Sequence, residues 1–233
     1  MHKDEFIKET EKLGINITDE MLEKLDKYYK MLIAYNAHTN LTRITEEKDV
    51  YLKHFYDSLT LVKAINLDNQ TLLDVGTGAG FPGLVLKIVF SNLKVTLVDS
   101  LNKRIIFLNS VIKELGLKNI EAVHARAEEY IEGRRENFDI VTSRAVANLN
   151  LLSELCIPYV KINGYFIAMK AEAEIEIKQS ENAIKTLGSV LTDVLIFELP
   201  YKEGKRTLVK IKKINKTDSK YPRKFSEIKK KTL

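Results

Sequence analysis

A short apolar stretch that runs directly into three closely spaced glycines constrains the fold of this chain most strongly. Residues 72–75 are typical of a buried strand, and an apolar run at 84–90 predicts a helix soon afterwards. Between them lie Gly76, Gly78 and Gly80. Glycine has no Cβ and tolerates a positive φ, so a ligand can lie close to the backbone there. A strand, glycine turn and helix in this order indicate an α/β sheet with a ligand crevice at the strand's carboxyl end.

Two classes of ligand compete for this glycine turn, and a third possibility is a tight turn without a ligand. The segment from Gly78 to Gly83 fits G-x-G-x-x-G, the dinucleotide fingerprint, which would indicate NAD. Asp74, however, places a carboxylate at the end of the strand, just ahead of the glycines. A pyrophosphate would meet that charge unfavourably, whereas a ligand with a sulfonium and an ammonium group would not. The wider pattern resembles the S-adenosylmethionine loop of class I methyltransferases, and we favour that cofactor.

Composition limits the class of protein. The 233 residues are 45% hydrophobic, enough for one α/β domain with an appendage. The single cysteine, Cys156, excludes an intramolecular disulfide and suits a reducing compartment. No apolar run approaches the roughly 20 residues of a membrane span, and residues 1–5 lack the order of a signal peptide. We therefore expect a soluble, cytoplasmic monomer without a membrane partner.

Charge is distributed unevenly along the chain, although the net charge is only +5. Residues 201–233 contain 13 Lys or Arg and 3 Asp or Glu, and the remaining residues carry a net charge of −5. A basic end on an acidic body is typical of nucleic-acid binding. A solvated, partly disordered tail would have the same composition, so both interpretations stay open.

The pattern of elements predicts three parts: an N-terminal helical subdomain at 1–65, a cofactor-binding domain at 66–215 and a basic tail at 216–233. Strands alternate with helices in the middle part, which predicts a Rossmann-like α/β fold with a mostly parallel seven-stranded sheet covered on both faces. The predicted strands are 71–75, 94–99, 119–124, 138–143, 162–169, 192–199 and 206–213, the last two forming an antiparallel hairpin. The predicted helices between them are 82–90, 102–115, 127–132, 147–159 and 172–187.

The N-terminal part offers a helix cap and one candidate that we set aside. Thr18 is suited to cap a long amphipathic helix, and a further helix is predicted from near Glu46 that carries His54 and Asp57. His38 and His54 have no closely spaced partner ligands, so no metal site is expected.

Candidate cofactor contacts follow two of the predicted strands. Asp99 ends the second strand, where a carboxylate can accept both ribose hydroxyls of an adenosine. Ala127 and Glu128 follow the third strand and could contact the adenine edge. The alternatives are a helix cap for Asp99 and an acidic helix start for Glu128, which the helix dipole favours.

Two cations end the next two strands. Arg144 follows the fourth strand and Lys170 the fifth, so both are predicted at the mouth of the crevice, where they suit a nucleic-acid substrate. Each could instead form a salt bridge with a local glutamate. The chain lacks the Asn/Asp-Pro-Pro-aromatic segment of amino-group methyltransferases, and Cys156 lies among apolar residues, more typical of a core thiol than of a nucleophile. These absences favour a target atom that already carries a lone pair.

Motifs along nearly the whole chain resemble one family. They are 40–43 (Asn-Leu-Thr-Arg), 54–59 (His-Phe-Tyr-Asp-Ser-Leu), 74–83, 99–104, 125–128, 143–147 (Ser-Arg-Ala-Val-Ala), 206–209 and 221–224 (Tyr-Pro-Arg-Lys). With these motifs the chain resembles the bacterial 16S rRNA guanine-N7 methyltransferase G family, also called glucose-inhibited division protein B. It departs from the family's pattern after residue 224, where the family usually has a glycine or proline.

The resemblance implies a class I S-adenosylmethionine-dependent enzyme with an N-terminal helical cap. Its expected reaction is methylation of N7 of one guanine, guanine 527, in 16S rRNA of the small ribosomal subunit. Because N7 needs no deprotonation, no general base is expected, and Arg144 and Lys170 are predicted to position the substrate. The predicted cofactor contacts are Asp74, Gly76, Gly78, Gly80, Phe81, Asp99, Ala127, Glu128 and Arg144, and the predicted RNA contacts are Arg206, Arg223 and Lys224.

Two other functions remain open at this point. One is an NAD-dependent oxidoreductase, which would share the glycine turn. The other is a non-catalytic RNA-binding protein of ribosome assembly, which would share the basic tail. Methylation of a ribose hydroxyl is disfavoured because it needs a general base, for which Lys170 is the candidate.

Overall fold

The fold is a seven-stranded α/β sheet, described here from a computed structural model for residues 1–144 and 147–233. Its spatial order is β3-β2-β1-β4-β5-β7-β6, with β7 antiparallel to both neighbours and the first five strands parallel. The strands are β1 (Thr71–Val75), β2 (Lys94–Asp99), β3 (Ile120–His124), β4 (Phe138–Arg144), β5 (Val160–Lys170), β6 (Ser189–Glu198) and β7 (Lys205–Lys213). The predicted mostly parallel Rossmann-like sheet and its terminal antiparallel hairpin are therefore confirmed.

Ten α-helices are found in the described residues. They are α1 (Lys3–Glu11), α2 (Asp19–Thr39), α3 (Glu47–Val50), α4 (Asp57–Leu59), α5 (Gly83–Val89), α6 (Asn102–Glu114), α7 (Ala127–Tyr130), α8 (Leu149–Cys156), α9 (Glu174–Thr186) and α10 (Phe225–Lys230). None of the described helices is both long and apolar enough to cross a membrane.

Capping residues set the two ends of α2, the long N-terminal helix. The hydroxyl oxygen of Thr18 accepts the N–H of Met21 at 3.3 Å, which is the predicted cap of α2. The helix ends at Asn40, which adopts a left-handed φ of 51°. The single helix predicted from near Glu46 is wrong in detail: a π-helical turn at Tyr51–Tyr56 separates α3 from α4. That extra-wide turn carries His54.

The N-terminal helices share one core with the sheet. The ring of Tyr28 on α2 is buried and lies 5.5 Å from the ring of Phe55 and 5.6 Å from that of Phe81. Its hydroxyl donates to the carbonyl of Ala79 in the glycine turn. A Cβ at Gly80 would come within 2.8 Å of that hydroxyl, so a larger residue there would push the helix off the turn. The first 65 residues therefore support the glycine turn from the N-terminal side of the core.

The basic tail is docked on the domain. Ile228 on α10 is fully buried, and the hydroxyl of Thr232 accepts the side-chain amide of Asn150 at 2.9 Å. The buried carboxylate of Glu154 accepts the backbone N–H of Arg223 at 2.9 Å and its guanidinium at 2.8 and 2.6 Å. Arg223 was predicted as an RNA contact, but in the structure it anchors the tail to the domain. Its guanidinium is occupied by the carboxylate of Glu154, which is buried away from water.

Removing this anchor is expected to destabilise the protein. Arg223→Ala leaves Glu154 buried and unpaired, which should lower the free energy of unfolding by about 3–5 kcal/mol. Urea denaturation followed by circular dichroism measures the change. The adjacent exposed Lys224→Ala should stay within about 0.5 kcal/mol of the parent. Glu154→Leu combined with Arg223→Met should recover much of the loss, and equal effects of the two single variants at 223 and 224 would contradict the anchoring role.

Candidate functional site

A crevice of about 430 Å³ opens at the carboxyl edge of the sheet, above β1 and β2 and beside the end of β4. The residues along its wall come from the glycine turn, from the ends of β2 and β4, from the segment after α2, from the π-helical turn and from α6. They are Leu41, Thr42, His54, Gly76, Thr77, Gly78, Ala79, Phe81, Asp99, Ser100, Arg104 and Arg144. The structure therefore brings together five of the predicted cofactor residues (Gly76, Gly78, Phe81, Asp99 and Arg144) with neighbours that the sequence did not single out.

Asp74 lies beneath the glycine turn and outside the crevice wall. Its Oδ2 accepts the hydroxyl of Thr77 at 2.7 Å and the N–H of Gly83 at 2.9 Å. The side chain is fully buried, and this burial raises the pKa of Asp74 to about 6, against the two hydrogen bonds that lower it. Through these two bonds Asp74 holds the turn and the start of α5 together from below, and its contact with a cationic ligand stays a prediction.

Asp99 both lines the crevice wall and holds the surrounding backbone in place. Its carboxylate accepts the N–H of Gly78 at 2.9 Å and the N–H of Leu101 at 2.9 Å. The guanidinium of Arg104 donates to it at 3.0 Å. The carboxylate thus fixes the glycine turn to the end of β2, and it also faces the crevice. Of the two roles considered from sequence, the N-cap of α6 falls to Leu101 rather than to Asp99, and the contact with a ligand stays a prediction.

The glycines divide into two kinds. A Cβ at Gly78 would meet no described atom within 4 Å, so the missing side chain leaves open space in the crevice. Gly80 is outside the wall, and a Cβ there would meet Tyr28 and Leu108 within 3 Å. Gly80 therefore has a packing role, and its contact with a cofactor stays a prediction. The open cradle at Gly78 next to the carboxylate of Asp99 fits an adenosine-containing ligand.

Arg144 joins the end of β4 to the helices of the N-terminal part. One guanidinium nitrogen donates to Asp57 at 3.0 Å and to the carbonyl of Lys53 at 3.1 Å. The other nitrogen donates to Nδ1 of His54 at 3.1 Å. Asp57 also accepts Nε of Arg206 at 2.9 Å, so one buried carboxylate is shared by two arginines. This places Arg206, predicted as an RNA contact, in the framework of the crevice.

His54 is held as a neutral ring. It stacks on Phe81 with the ring centroids 4.2 Å apart, and its Nε2 lies 2.9 Å from the hydroxyl of Thr42. Burial, reinforced by the positive charge of Arg144, lowers the pKa of His54 to about 3. The ring therefore carries no charge at neutral pH, and its two nitrogens have fixed hydrogen-bonding roles.

Lys170 lies beside the crevice and outside its wall, which corrects its predicted place at the mouth. Its Nζ is 2.8 Å from the carboxylate of Glu176 and donates to the carbonyl of Ala147 at 2.5 Å. Glu176 also accepts the N–H of Leu149 at the start of α8. The pair holds the segment that follows β4. A hollow of about 540 Å³ near Glu176 is larger than the crevice but contains no part of the glycine turn.

Several other predicted features lie away from the crevice wall. The carbonyl of Ala127 accepts the hydroxyl of Tyr159, and Glu128 is 3.9 Å from Arg126, so neither predicted adenine contact lines the wall. Cys156 is buried, and burial raises the pKa of its thiol well above the ordinary value. Residues 145–146 of the quoted motif lie outside the described residues. Within the described part, no group of three or more His, Cys, Asp or Glu could hold a metal ion.

Four residues that make the side-chain network of the site were given no role by the sequence analysis: Thr42, His54, Asp57 and Arg104. Their only signal was membership of the motifs at 40–43, 54–59 and 99–104, because their partners lie far along the chain. For example, Arg144 is separated by 90 positions from His54.

Comparisons with known proteins give one family. A family model described as rRNA small subunit methyltransferase G matches residues 21–208. The curated ribosomal RNA small subunit methyltransferase G of Bacillus velezensis is 50% identical over 228 residues, covering 96% of this chain and 95% of that protein. The protein of the same name from Bacillus subtilis is 48% identical over 228 residues, with the same coverage.

The fold also has relatives among solved structures. A SAM-dependent methyltransferase from Aquifex aeolicus superposes with a TM-score of 0.54 and 16% identity, covering 74% of this chain and 97% of that chain. At this identity the likeness supports the fold alone.

The buried neutral His54 should make the protein sensitive to acid. The unfolded state takes up a proton near pH 6.5, whereas the folded ring resists it down to about pH 3. Stability should therefore fall as the pH drops from 6.5, by on the order of 3 kcal/mol at pH 4. Urea denaturation at a series of pH values measures this, and His54→Gln should lose that part of the slope. His38→Gln, at an exposed histidine, is the control, and identical slopes in all three proteins would contradict the assignment.

Proposed function

The chain belongs to the rRNA small subunit methyltransferase G family, and from that premise we propose that it methylates N7 of a single guanine in 16S rRNA. Family membership makes the protein an S-adenosylmethionine-dependent rRNA methyltransferase, and the NAD-dependent oxidoreductase and the non-catalytic assembly protein are set aside. The base, the atom and the position are the proposal. One observation carries it: the crevice wall contains no group placed and charged to act as a base among the described residues.

That observation comes from the titratable groups that face the crevice. His54 donates its Nε2 proton to Thr42 and accepts from Arg144, so neither ring nitrogen is free to remove a proton. Asp99 is occupied by the N–H of Gly78 and by Arg104. An amine or a hydroxyl would need such a base, whereas N7 of guanine is already an exposed acceptor. Lys170, the candidate base for ribose methylation, is engaged with Glu176.

We propose that the cofactor lies along the glycine turn, with its adenosine toward Asp99 and its reacting end toward Arg144. The open space at Gly78 and the facing carboxylate of Asp99 support this orientation. When bound, S-adenosylmethionine supplies a methyl group on a positively charged sulfur, and the N7 lone pair can take it up without loss of a proton. What the chain contributes is alignment of N7 with that methyl group and exclusion of water.

The arginine network is proposed to hold the reacting end of the crevice rigid. Arg144 and Arg206 share Asp57, and the guanidinium carbon of Arg144 lies 5.1 Å from the centroid of the Phe81 ring. Two guanidinium groups and one carboxylate leave a net positive charge close to the crevice. Such a charge favours a polyanionic acceptor. Arg144 and Arg206 contribute mainly by holding the side chains of the site in place through Asp57, and less by binding phosphate.

The docked tail is proposed as the second RNA-binding element. The guanidinium carbon of Arg126, which follows β3, lies 6.0 Å from the ring centroid of Phe225 at the start of α10. Asn150, at the start of α8, contacts Thr232, which lies beyond the end of α10. Both contacts are made by elements at the carboxyl edge of the sheet, so α10 lies at the edge that opens into the crevice. Its exposed lysines can then reach RNA held there.

The proposed product is tested by chemistry specific to N7-methylguanosine. Ribosomal small subunits from cells lacking this protein are incubated with the purified enzyme and labelled S-adenosylmethionine. After borohydride reduction, aniline should cut the 16S rRNA at one guanosine, because methylation at N7 makes that glycosidic bond labile. Gly78→Val, which puts a β-branched side chain at a φ of +63°, is the inactive control. Label in an alkali-resistant dinucleotide would assign ribose methylation instead.

The tail should contribute to RNA affinity through its exposed lysines. Lys224, Lys229 and Lys230 are exposed and form no ion pair among the described residues. Their combined change to Ala should weaken RNA binding and reduce the slope of log K against log salt by up to about one unit per lost phosphate contact. Arg223 is left intact because it anchors the tail.

The matched control replaces three exposed lysines, two of them near the amino ends of strands and one in the last turn of α9. They are Lys94, Lys118 and Lys185. Both triple variants remove the same net charge, so a purely long-range effect would reduce the two slopes equally. Equal salt slopes for the two triple variants would mean that the tail lysines are a solvated surface without RNA contacts. Binding of S-adenosylhomocysteine, measured by calorimetry, should be unchanged in both variants.

A further inference from the structure

The hydroxyl of Thr42 is the polar group of the crevice whose hydrogen-bonding role the structure fixes most completely. Thr42 lies between α2 and α3, and it forms part of the crevice wall next to His54. Neither the family name nor the proposed reaction gives it a role. Its partners determine whether it can donate or accept.

The chain of constraints begins at Arg144. A guanidinium has no acceptor, so the contact of 3.1 Å between Arg144 and His54 requires Nδ1 of the ring to accept. The imidazole is neutral, and its one proton is therefore on Nε2. Nε2 lies 2.9 Å from Oγ1 of Thr42, so the ring donates there and the threonine oxygen accepts.

The same oxygen accepts a second hydrogen bond. The backbone N–H of Ile44 donates to Oγ1 of Thr42 at 3.1 Å. A hydroxyl oxygen has two lone pairs, and both are now used. What remains is the hydroxyl proton, which has no acceptor in residues 1–144 or 147–233. Thr42 therefore offers the crevice a donor and nothing else.

The order of the strands places this donor at the reacting end of the crevice. Asp99 ends β2 and Arg144 ends β4, and β1 with its glycine turn lies between these two strands. With the adenosine on the side of Asp99, the methyl acceptor enters on the side of Arg144. Thr42 is connected to Arg144 through a single imidazole ring and lines the same crevice, so its free donor lies at that end.

We propose that Thr42 donates its hydroxyl proton to O6 of the target guanine and so selects guanine over adenine; this rests on the proposed N7 methylation. On the edge that carries N7, guanine presents O6 as an acceptor, whereas adenine presents an amino group in its place. A group that can only donate attracts the first and repels the second. It also leaves the lone pair of N7 free for the methyl group.

The test combines variants of Thr42 with a change in the target base. The variants are Thr42→Val, which keeps the shape and removes the donor, and Thr42→Ser, which keeps the donor. Thr45→Val, at an exposed position in the same segment, is the matched control. Subunits are reconstituted with 16S rRNA that carries either guanine or 2-aminopurine at the target position; 2-aminopurine keeps N7 and lacks O6.

With the guanine substrate, Thr42→Val should lower kcat/KM roughly tenfold, the value of about one good hydrogen bond, while Thr42→Ser and Thr45→Val stay within about twofold. With 2-aminopurine the parent enzyme should already be slower, and Thr42→Val should cause little further loss, since the contact is absent in both. Calorimetric affinity for S-adenosylhomocysteine should be the same in all four proteins.

Three outcomes would overturn the assignment in different ways. Weaker S-adenosylhomocysteine binding by Thr42→Val would show that the hydroxyl serves the cofactor. Equal losses on both substrates would show that it only supports the segment. A guanine product that is not cut by aniline after borohydride reduction would instead refute the proposed N7 methylation, so the two failures can be told apart.

Discussion

The arrangement of the crevice depends on one buried carboxylate, Asp57, and the two arginines that share it. Arg144 brings the end of β4 to it and Arg206 brings the start of β7, so three distant parts of the chain meet at one point. Charge-assisted hydrogen bonds of this kind are directional, and burial strengthens them. They also fix the ring of His54, whose neutral form follows from burial, reinforced by the neighbouring guanidinium. Asp57 and Arg206, which do not line the crevice, therefore set the positions of Arg144 and His54, which do.

The same division of labour is found around the glycine turn. Asp74 lies one residue before the end of β1 and Asp99 ends β2, and both accept backbone N–H groups of the turn or of the helix that follows it. Gly80 and Gly83 are small because the protein packs against them, whereas Gly78 leaves open space in the crevice. A glycine-rich pattern thus combines two different requirements, and only one of them concerns a ligand.

The basic tail shows that charge and function need not coincide residue by residue. Of its cations, Arg223 neutralises a buried carboxylate and thereby docks the segment, while exposed lysines such as Lys224 remain available to a polyanion. The docking positions α10 at the carboxyl edge of the sheet, beside the loops that follow β3 and β4. The single ion pair between Arg223 and Glu154 therefore fixes the position of the exposed lysines of the tail.

Local patterns were enough to predict the elements: β1 and β2 have the predicted bounds, the order of the elements in the α/β domain is the predicted one, and the glycine turn lies where the sequence indicated. These depend on local properties, namely apolar periodicity and the φ that glycine allows. Only the tertiary structure decided what each polar side chain does. Arg206 meets Asp57 across 149 positions and Arg223 meets Glu154 across 69, and Lys170 turns to Glu176. Such pairings could not be predicted, because burial and the choice of partner arise when distant segments come together.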